Sequence, residues 1–457
     1  MAHELLRTLL ETLEALRLGV TRPGFDNLLV VFVGWVQSNG THAVTQALVV
    51  TKVAERRHHE AFHRFFSRGT WQPDHLGWCL FHSIRRFVPA EQPLHIAVDD
   101  TLAPKKGAHV FGLGTHVDAV RSTRNHRVFC FGHCWVVLAV LVPVPFSSRT
   151  WALPLLYRLY RTKKECRAKG ELYRKKTELA RDLVQCFLSW VADRRVMLAA
   201  DSAYCNHTVT RDTPRSLILL GAMRPDAVLT ALPEPAPRPH GGRTRIRGQV
   251  LPKPQALAAD PQQRWRTCDA LLYGEQRRVQ YKECFAQWYR ACGAQLLHVV
   301  VVRVTTGHLP CRVFFSTDPH LTARQILEGY SGRWSIEVAF KNLKQLLGFA
   351  DSSARKRTAV ERTAPFVGLS YIVLILWFVE HAYRSPLARP PIRPWYRHKR
   401  GYSFADVLRT AQCVLGPLDV LDPDRSLDNL RQLELATLSA KPGATAGRRI
   451  GRKKGET

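Results

Sequence analysis

Apolar residues in the first 88 positions recur at helical spacing. Leu5, Leu9, Leu13 and Leu16 mark one stripe, and Phe62, Phe65 and Phe66 mark another. Thr41–Val50 reads as a helix opening after Gly40, Arg56–His59 begins the Phe-bearing one, and Trp71-Gln-Pro starts a fourth. The period then changes. Leu94–Asp99 and Val196–Asp201 are short continuous apolar runs that each end in acid, the pattern of buried strands delivering a carboxylate at their C-terminal ends. Val128–Val142 and Leu217–Arg224 are further strand-like runs. Between them Leu172, Leu179, Leu183, Phe187 and Trp190 keep a helical stripe over Leu172–Val191. Strands alternating with helices predict an α/β core.

The interval from Asp201 to Glu337 is too long for a single connection in a compact core. It opens with a Pro/Arg/Gly-rich stretch, Pro233 to Gly248, and continues with β-like runs at Leu297–Val304 and Arg312–Phe315. The basic segment Arg238–Arg247 within it has the composition of a phosphate-contacting loop. After Tyr330 and the small-residue pair Ser331-Gly332, an amphipathic helix opens and runs with no Pro or Gly until Gly348. Its apolar residues Ile336, Phe340, Leu343 and Leu347 fall at helical spacing. Arg333, Glu337, Lys341 and Lys344 lie within a turn or two of one another, so one acid is set among several bases. Phe366–Val379 is the most apolar stretch, shorter than a bilayer span, and reads as a core helix after Pro365. A basic, Pro-rich region follows Arg384, then a short helix near Ser403–Val414 and a basic tail from Lys441.

Charge narrows the partner. The formal net charge of +30 calls for a polyanion, and nucleic acid is the first candidate. The bases are spread along the chain rather than gathered on one amphipathic helix, which argues against a membrane surface. Glu4, Glu11 and Glu14 give the first helix a soluble character rather than that of a secretory signal. Eleven cysteines without framework spacing read as the reduced thiols of a cytoplasmic protein. Cys130, His133 and Cys134 sit in a strand-like run with no matching second pair, so core packing is expected of them.

The two strand-end acids, followed by Tyr330, Arg333, Glu337 and Lys344 in the spacing Y-x2-R-x3-E-x6-K, resemble the DDE transposases of bacterial insertion sequences. The match is best with the insertion sequence four-like, hairpin-forming cut-and-paste branch, over about residues 95–349. This resemblance implies an RNase H-like catalytic core interrupted by a mostly β insertion, with a helical N-terminal domain and a basic C-terminal region. The corresponding divisions are residues 1–88 for DNA binding, 89–224 and 319–384 for the core, 225–318 for the insertion and 385–457 for the basic region.

The resemblance also implies chemistry. Asp100, Asp201 and Glu337 would be the catalytic residues and the ligands of two Mg²⁺ ions, with Mn²⁺ able to substitute. Asp99 competes for the first place because neighbouring strand residues point to opposite faces. The family pattern, an acid directly before Thr or Ser, selects Asp100 before Thr101. Tyr330, Arg333, Lys341 and Lys344 would bind DNA phosphate. An aromatic side chain would hold a base moved out of the stack; Trp265 and Trp288 are candidates, although packing suits both better. The implied partners are the duplex terminal inverted repeats, the target DNA and a second copy in a synaptic dimer, in a bacterial cytoplasm and without a membrane. A silent transposase-derived binding protein and a nuclease without strand transfer are the alternatives.

Overall fold

The computed structural model describes residues 1–420 apart from 108, 124, 211–212, 235–244, 304–310, 392, 396–398, 400 and 417. Most of the basic segment Arg238–Arg247 and the whole tail from Lys441 therefore lie outside the described residues.

Five helices open the chain: α1 (Ala2–Glu14), α2 (Arg22–Gln37), α3 (Val44–Val50), α4 (Glu60–Ser67) and α5 (Pro73–Ile84). The periodicity reading passes over α2, whose run Val30–Val36 is buried all round and so carries no amphipathic stripe. Strands β1 (Leu94–Pro104), β2 (Gly114–Val117), β3 (Phe129–Val144) and β4 (Ser147–Tyr160) follow. Next come α6 (Lys163–Ala168), α7 (Lys176–Trp190), β5 (Val196–Ala200), α8 (His207–Thr210) and β6 (Leu217–Met223). The helix expected from Leu172 starts only at Lys176; Leu172 is 86% exposed and belongs to the preceding loop. The interval before Glu337 supplies α9 (Pro254–Ala259), β7 (Arg266–Leu272), β8 (Glu275–Gln287), α10 (Tyr289–Cys292), β9 (Leu296–Arg303) and β10 (Cys311–Ser316). The chain then forms α11 (Ala323–Ser331), α12 (Trp334–Leu346), α13 (Arg357–Trp377) and α14 (Phe404–Leu415).

All ten strands form one mixed sheet. In its first half β4 pairs with β3 and β3 with β1, both antiparallel, while β1, β5 and β6 run parallel. This is the strand order of an RNase H-like core. β10 joins β6 antiparallel, and β9, β8 and β7 continue outward, so the mostly β insertion extends the same sheet rather than forming a separate one. Strands β5 and β6, and the Leu94–Val98 part of β1 that pairs with β5, are mostly buried, as expected of parallel strands covered on both faces.

The N-terminal helices share one hydrophobic core with the sheet and with α13. Trp377 Nε1 donates to Leu5 O at 3.1 Å, Trp35 Nε1 to Leu347 O at 2.9 Å and Arg362 Nη1 to Phe66 O at 3.2 Å. Among the described residues α13 with its following turn is the one helix long and apolar enough to cross a membrane, and 94% of that apolar window is buried inside the protein. The helix begins well before Pro365, which lies within it. At Gly368 the Tyr157 hydroxyl comes so close that a Cβ would stand 1.7 Å from it, so this contact between α13 and β4 demands glycine.

Candidate active site

β1 and β5 run parallel with Val98 beside Ala200. The next residues, Asp99 and Asp201, therefore emerge side by side at the C-terminal end of the β5 pairing. Asp201 Oδ1 accepts from the backbone N–H groups of Ala203 and Tyr204 at 2.9 and 3.2 Å, which fixes its turn. Glu337 comes from the first turn of α12, which lies on β4 and β1 and is anchored by Ser335 Oγ donating to Thr150 O at 2.7 Å. Arg333, just before α12, links the parts. Its Nη1 donates to Asp99 Oδ2 and its Nη2 to Glu337 Oε1, both at 2.8 Å.

Electrostatics follow from this packing. Burial pushes the Asp99 carboxyl up to about 7; the Arg333 guanidinium opposes that, and the neighbouring Asp201 carboxylate adds to it. Burial disfavours the Arg333 charge, but Asp99, Tyr330 and Glu337 outweigh it and hold the guanidinium firmly protonated. Arg333 Nε is buried without a hydrogen-bond partner among the described residues. Tyr330 lies in the last turn of α11; its ring packs on Phe314 with centroids 4.8 Å apart and lies 5.9 Å from the Arg333 guanidinium carbon. Lys341 and Lys344 are exposed, one and two turns on from Glu337. Desolvation by surrounding protein nevertheless lowers the Lys344 pKa.

Asp100 is placed differently from the sequence expectation. It points to the opposite face of β1 from Asp99, toward α7. There Lys176 Nζ donates to Oδ2 at 2.6 Å, the Tyr204 hydroxyl to Oδ1 at 2.7 Å and Cys134 Sγ to Oδ2 at 3.4 Å. Burial, with Asp100 next, pushes the Cys134 thiol up to about 12. The carboxylate beside the Arg333–Glu337 pair is thus Asp99. Alternation along the strand sets which face each acid serves, so Asp99 faces Arg333 while Asp100, the acid directly before Thr101, faces Lys176 and Tyr204.

As they lie, no three His, Cys, Asp or Glu side chains among the described residues stand close enough together to hold a metal. The donor set nonetheless fits a hard divalent ion. Asp99 and Asp201 offer oxygen only, and the Arg333 cation already sits where Asp99 and Glu337 need positive charge. A metal bound there would take over the part the guanidinium plays.

Sequence reading missed an aromatic cleft next to this site. Tyr273 and Gly274 form the two-residue turn between β7 and β8, with φ of 56° and 87°. This turn holds the half-exposed Tyr273 ring edge-on to Trp334, 6.2 Å away between centroids, and Arg149 covers the indole at 5.6 Å. The cleft has a volume of about 610 Å³ and is floored by His95, Met197 and Gly329. A non-glycine residue before Gly in a hairpin turn was the available signal. Trp288 instead packs edge-on against Phe315, and Trp265 lies beneath Lys282 and Arg303. His133 Nε2 is hydrogen-bonded to Phe111 O at 2.8 Å.

The order and directions of β4, β3, β1, β5 and β6 define an RNase H-like nuclease fold. The sequence comparison makes this specific. Residues 23–287, more than half the chain, match the DDE superfamily endonuclease model, and the protein belongs to that family. Residues 285–384 match the model of the archaeal putative transposase ISC1217. No curated protein matches the sequence. Among solved structures, the chain is similar to a piggyBac transposase in a synaptic complex with hairpin DNA. Identity is 9% and the TM-score 0.41, over 92% of this chain and 78% of that one.

Proposed function

We propose that this DDE superfamily endonuclease is a DNA transposase of the insertion sequence four-like type, acting at transposon ends as a synaptic dimer. The carrying observation is the constellation of Asp99 beside Asp201 with Arg333 bridging Asp99 to Glu337. Asp99, Asp201 and Glu337 would hold divalent metal, with Asp99 in place of Asp100. Bound there, Mg²⁺ or Mn²⁺ supplies Lewis acidity to the attacking and leaving oxygens of an in-line phosphodiester displacement.

The chain's own residues do the remaining work. Arg333, released from Asp99 and Glu337, forks onto a phosphate of the cleaved strand. Lys341 and Lys344 present point charges along the next two turns of α12, and Tyr330 braces the guanidinium from the end of α11. A base lifted from the stack as the strand bends into a hairpin would lie against Trp334 and Tyr273, in the cleft behind Arg333. Asp100, Lys176 and Tyr204 act as a strut that fixes β1 from its other face.

The test is cleavage of a labelled duplex carrying the element's terminal inverted repeat. Mg²⁺-dependent nicking followed by a hairpin product, abolished by Glu337→Ala, is expected. Nicked ends that never join target DNA would make the protein a nuclease without strand transfer. Cleavage at normal rate by Glu337→Ala would refute the site.

A further inference from the structure

Strand β3 overshoots the sheet. Pro104, the last residue of β1, pairs with Gly132 and Lys105 N–H donates to Phe131 O at 3.1 Å, so among the named strands Phe129–Phe131 pair with β2 alone. Asp99 lies opposite Val137. The arm therefore reaches roughly 25 Å along the strand beyond the candidate catalytic acids, on the side where β1 and β5 end, at about 3.3 Å per residue.

The arm is patterned inside out. Gly114, His116 and Gly132 face the protein and are buried. The opposite face carries Thr115, Val117, Phe129 and Phe131. Val117 sits directly opposite Phe129 and Thr115 opposite Phe131, and the three apolar side chains are 47%, 61% and 49% exposed in chain order. Asp118 Oδ1 accepts from the backbone N–H groups of Val120 and Arg121 and ties the turn at the tip. Arg121, His126 and Arg127 are all exposed there, and among the described residues neither arginine has an ion-pair partner. Val120, at the tip, is 96% exposed.

We propose that the β2–β3 arm is a DNA-groove element: it lays Val117, Phe129 and Phe131 against sugars and base edges while Arg121 and Arg127 hold phosphates. A two-stranded ribbon fits the major groove of a duplex, and unpaired bases flanking an apolar face complement a polyanion with flat apolar edges inside its grooves. A second copy of a chain with net charge +30 would bring like-charged tips together, which disfavours it as the occupant. This inference rests on the transposase reading above.

The experiment uses the full chain, a fluorescein-labelled 40-base-pair duplex of arbitrary sequence, binding measured across a salt series, and sedimentation for oligomeric state. Phe129→Ser with Phe131→Ser should weaken binding at least tenfold while leaving the salt slope and oligomeric state unchanged. Arg121→Ala with Arg127→Ala should lower the salt slope by about 2, at roughly 0.9 per phosphate contact. Wild-type binding with both double variants within twofold of it overturns the arm alone. Loss of self-association in the Phe variant, with DNA affinity intact, also overturns it and assigns the face to a second copy. Failure of the wild type to bind any duplex overturns the arm together with the transposase reading.

Discussion

Arg333→Ala isolates the central electrostatic feature. The Asp99 and Arg333 side chains are only 17% and 16% exposed, so their pair is largely withdrawn from solvent, whereas Glu337 is 47% exposed and its share is screened. Removing one partner of a buried pair costs about 3 kcal/mol, chiefly through the charge left behind. That cost depends on pH. The Asp99 carboxyl is raised above its unfolded value to about 7, so ionising it works against the fold as pH climbs from the ordinary carboxylate range through 7. At pH 6 only about a tenth of Asp99 is ionised and there is little pair to lose. At pH 8 the wild type is ionised and paired, while the variant must bury a lone carboxylate or take up a proton. The variant should therefore melt about 3 °C below wild type at pH 8 and within about 1 °C at pH 6, from an unfolding entropy proportional to chain length. Differential scanning fluorimetry in EDTA measures both. Millimolar Mg²⁺ should erase the pH 8 gap, because a metal replaces the missing cation. A melting difference that is the same at both pH values, or that Mg²⁺ leaves untouched, would refute the reasoning.

Other consequences can be checked alongside. Asp99→Asn should abolish Mg²⁺-dependent cleavage of terminal-repeat DNA, whereas Asp100→Asn should retain cleavage and lower the melting temperature, because it weakens the contact with Lys176. Trp334→Ala should leave nicking intact and reduce hairpin formation about tenfold or more, as expected from losing one base-stacking surface; equal losses in both steps would remove the cleft from the mechanism. Gly368→Ala should destabilise the protein by about 3 kcal/mol through overpacking against Tyr157, with partial recovery in combination with Tyr157→Phe.

What the sequence revealed follows from period and range. The apolar runs stopped by Asp99 and Asp201 stood out because they are short and local, although β1 itself continues past Asp99 to Pro104 in its pairing with β3. The order of the core came from the resemblance to transposases, and periodicity only permitted it. α2 was not legible, since a helix buried on every side loses the stripe that marks it. The choice between Asp99 and Asp100 turned on which face of β1 looks toward α12, a fact set by Arg333 more than two hundred residues later in the chain. The small pair Ser331-Gly332 marked the opening of α12, whereas α11, which ends at Ser331 and carries Tyr330, had no signal of its own in the periodicity reading. The cleft of Tyr273 and Trp334 joins the insertion to the core, and no local pattern announces such a meeting.

The most direct test is a crystal of the protein grown with Mn²⁺ and a short duplex, read by anomalous scattering. The account predicts metal density bounded by Asp99, Asp201 and Glu337, with the Arg333 guanidinium moved off both acids and onto phosphate. Metal density on Asp100 beside Lys176, or Arg333 still clasping Asp99 and Glu337 with DNA bound and no metal between the acids, would contradict it.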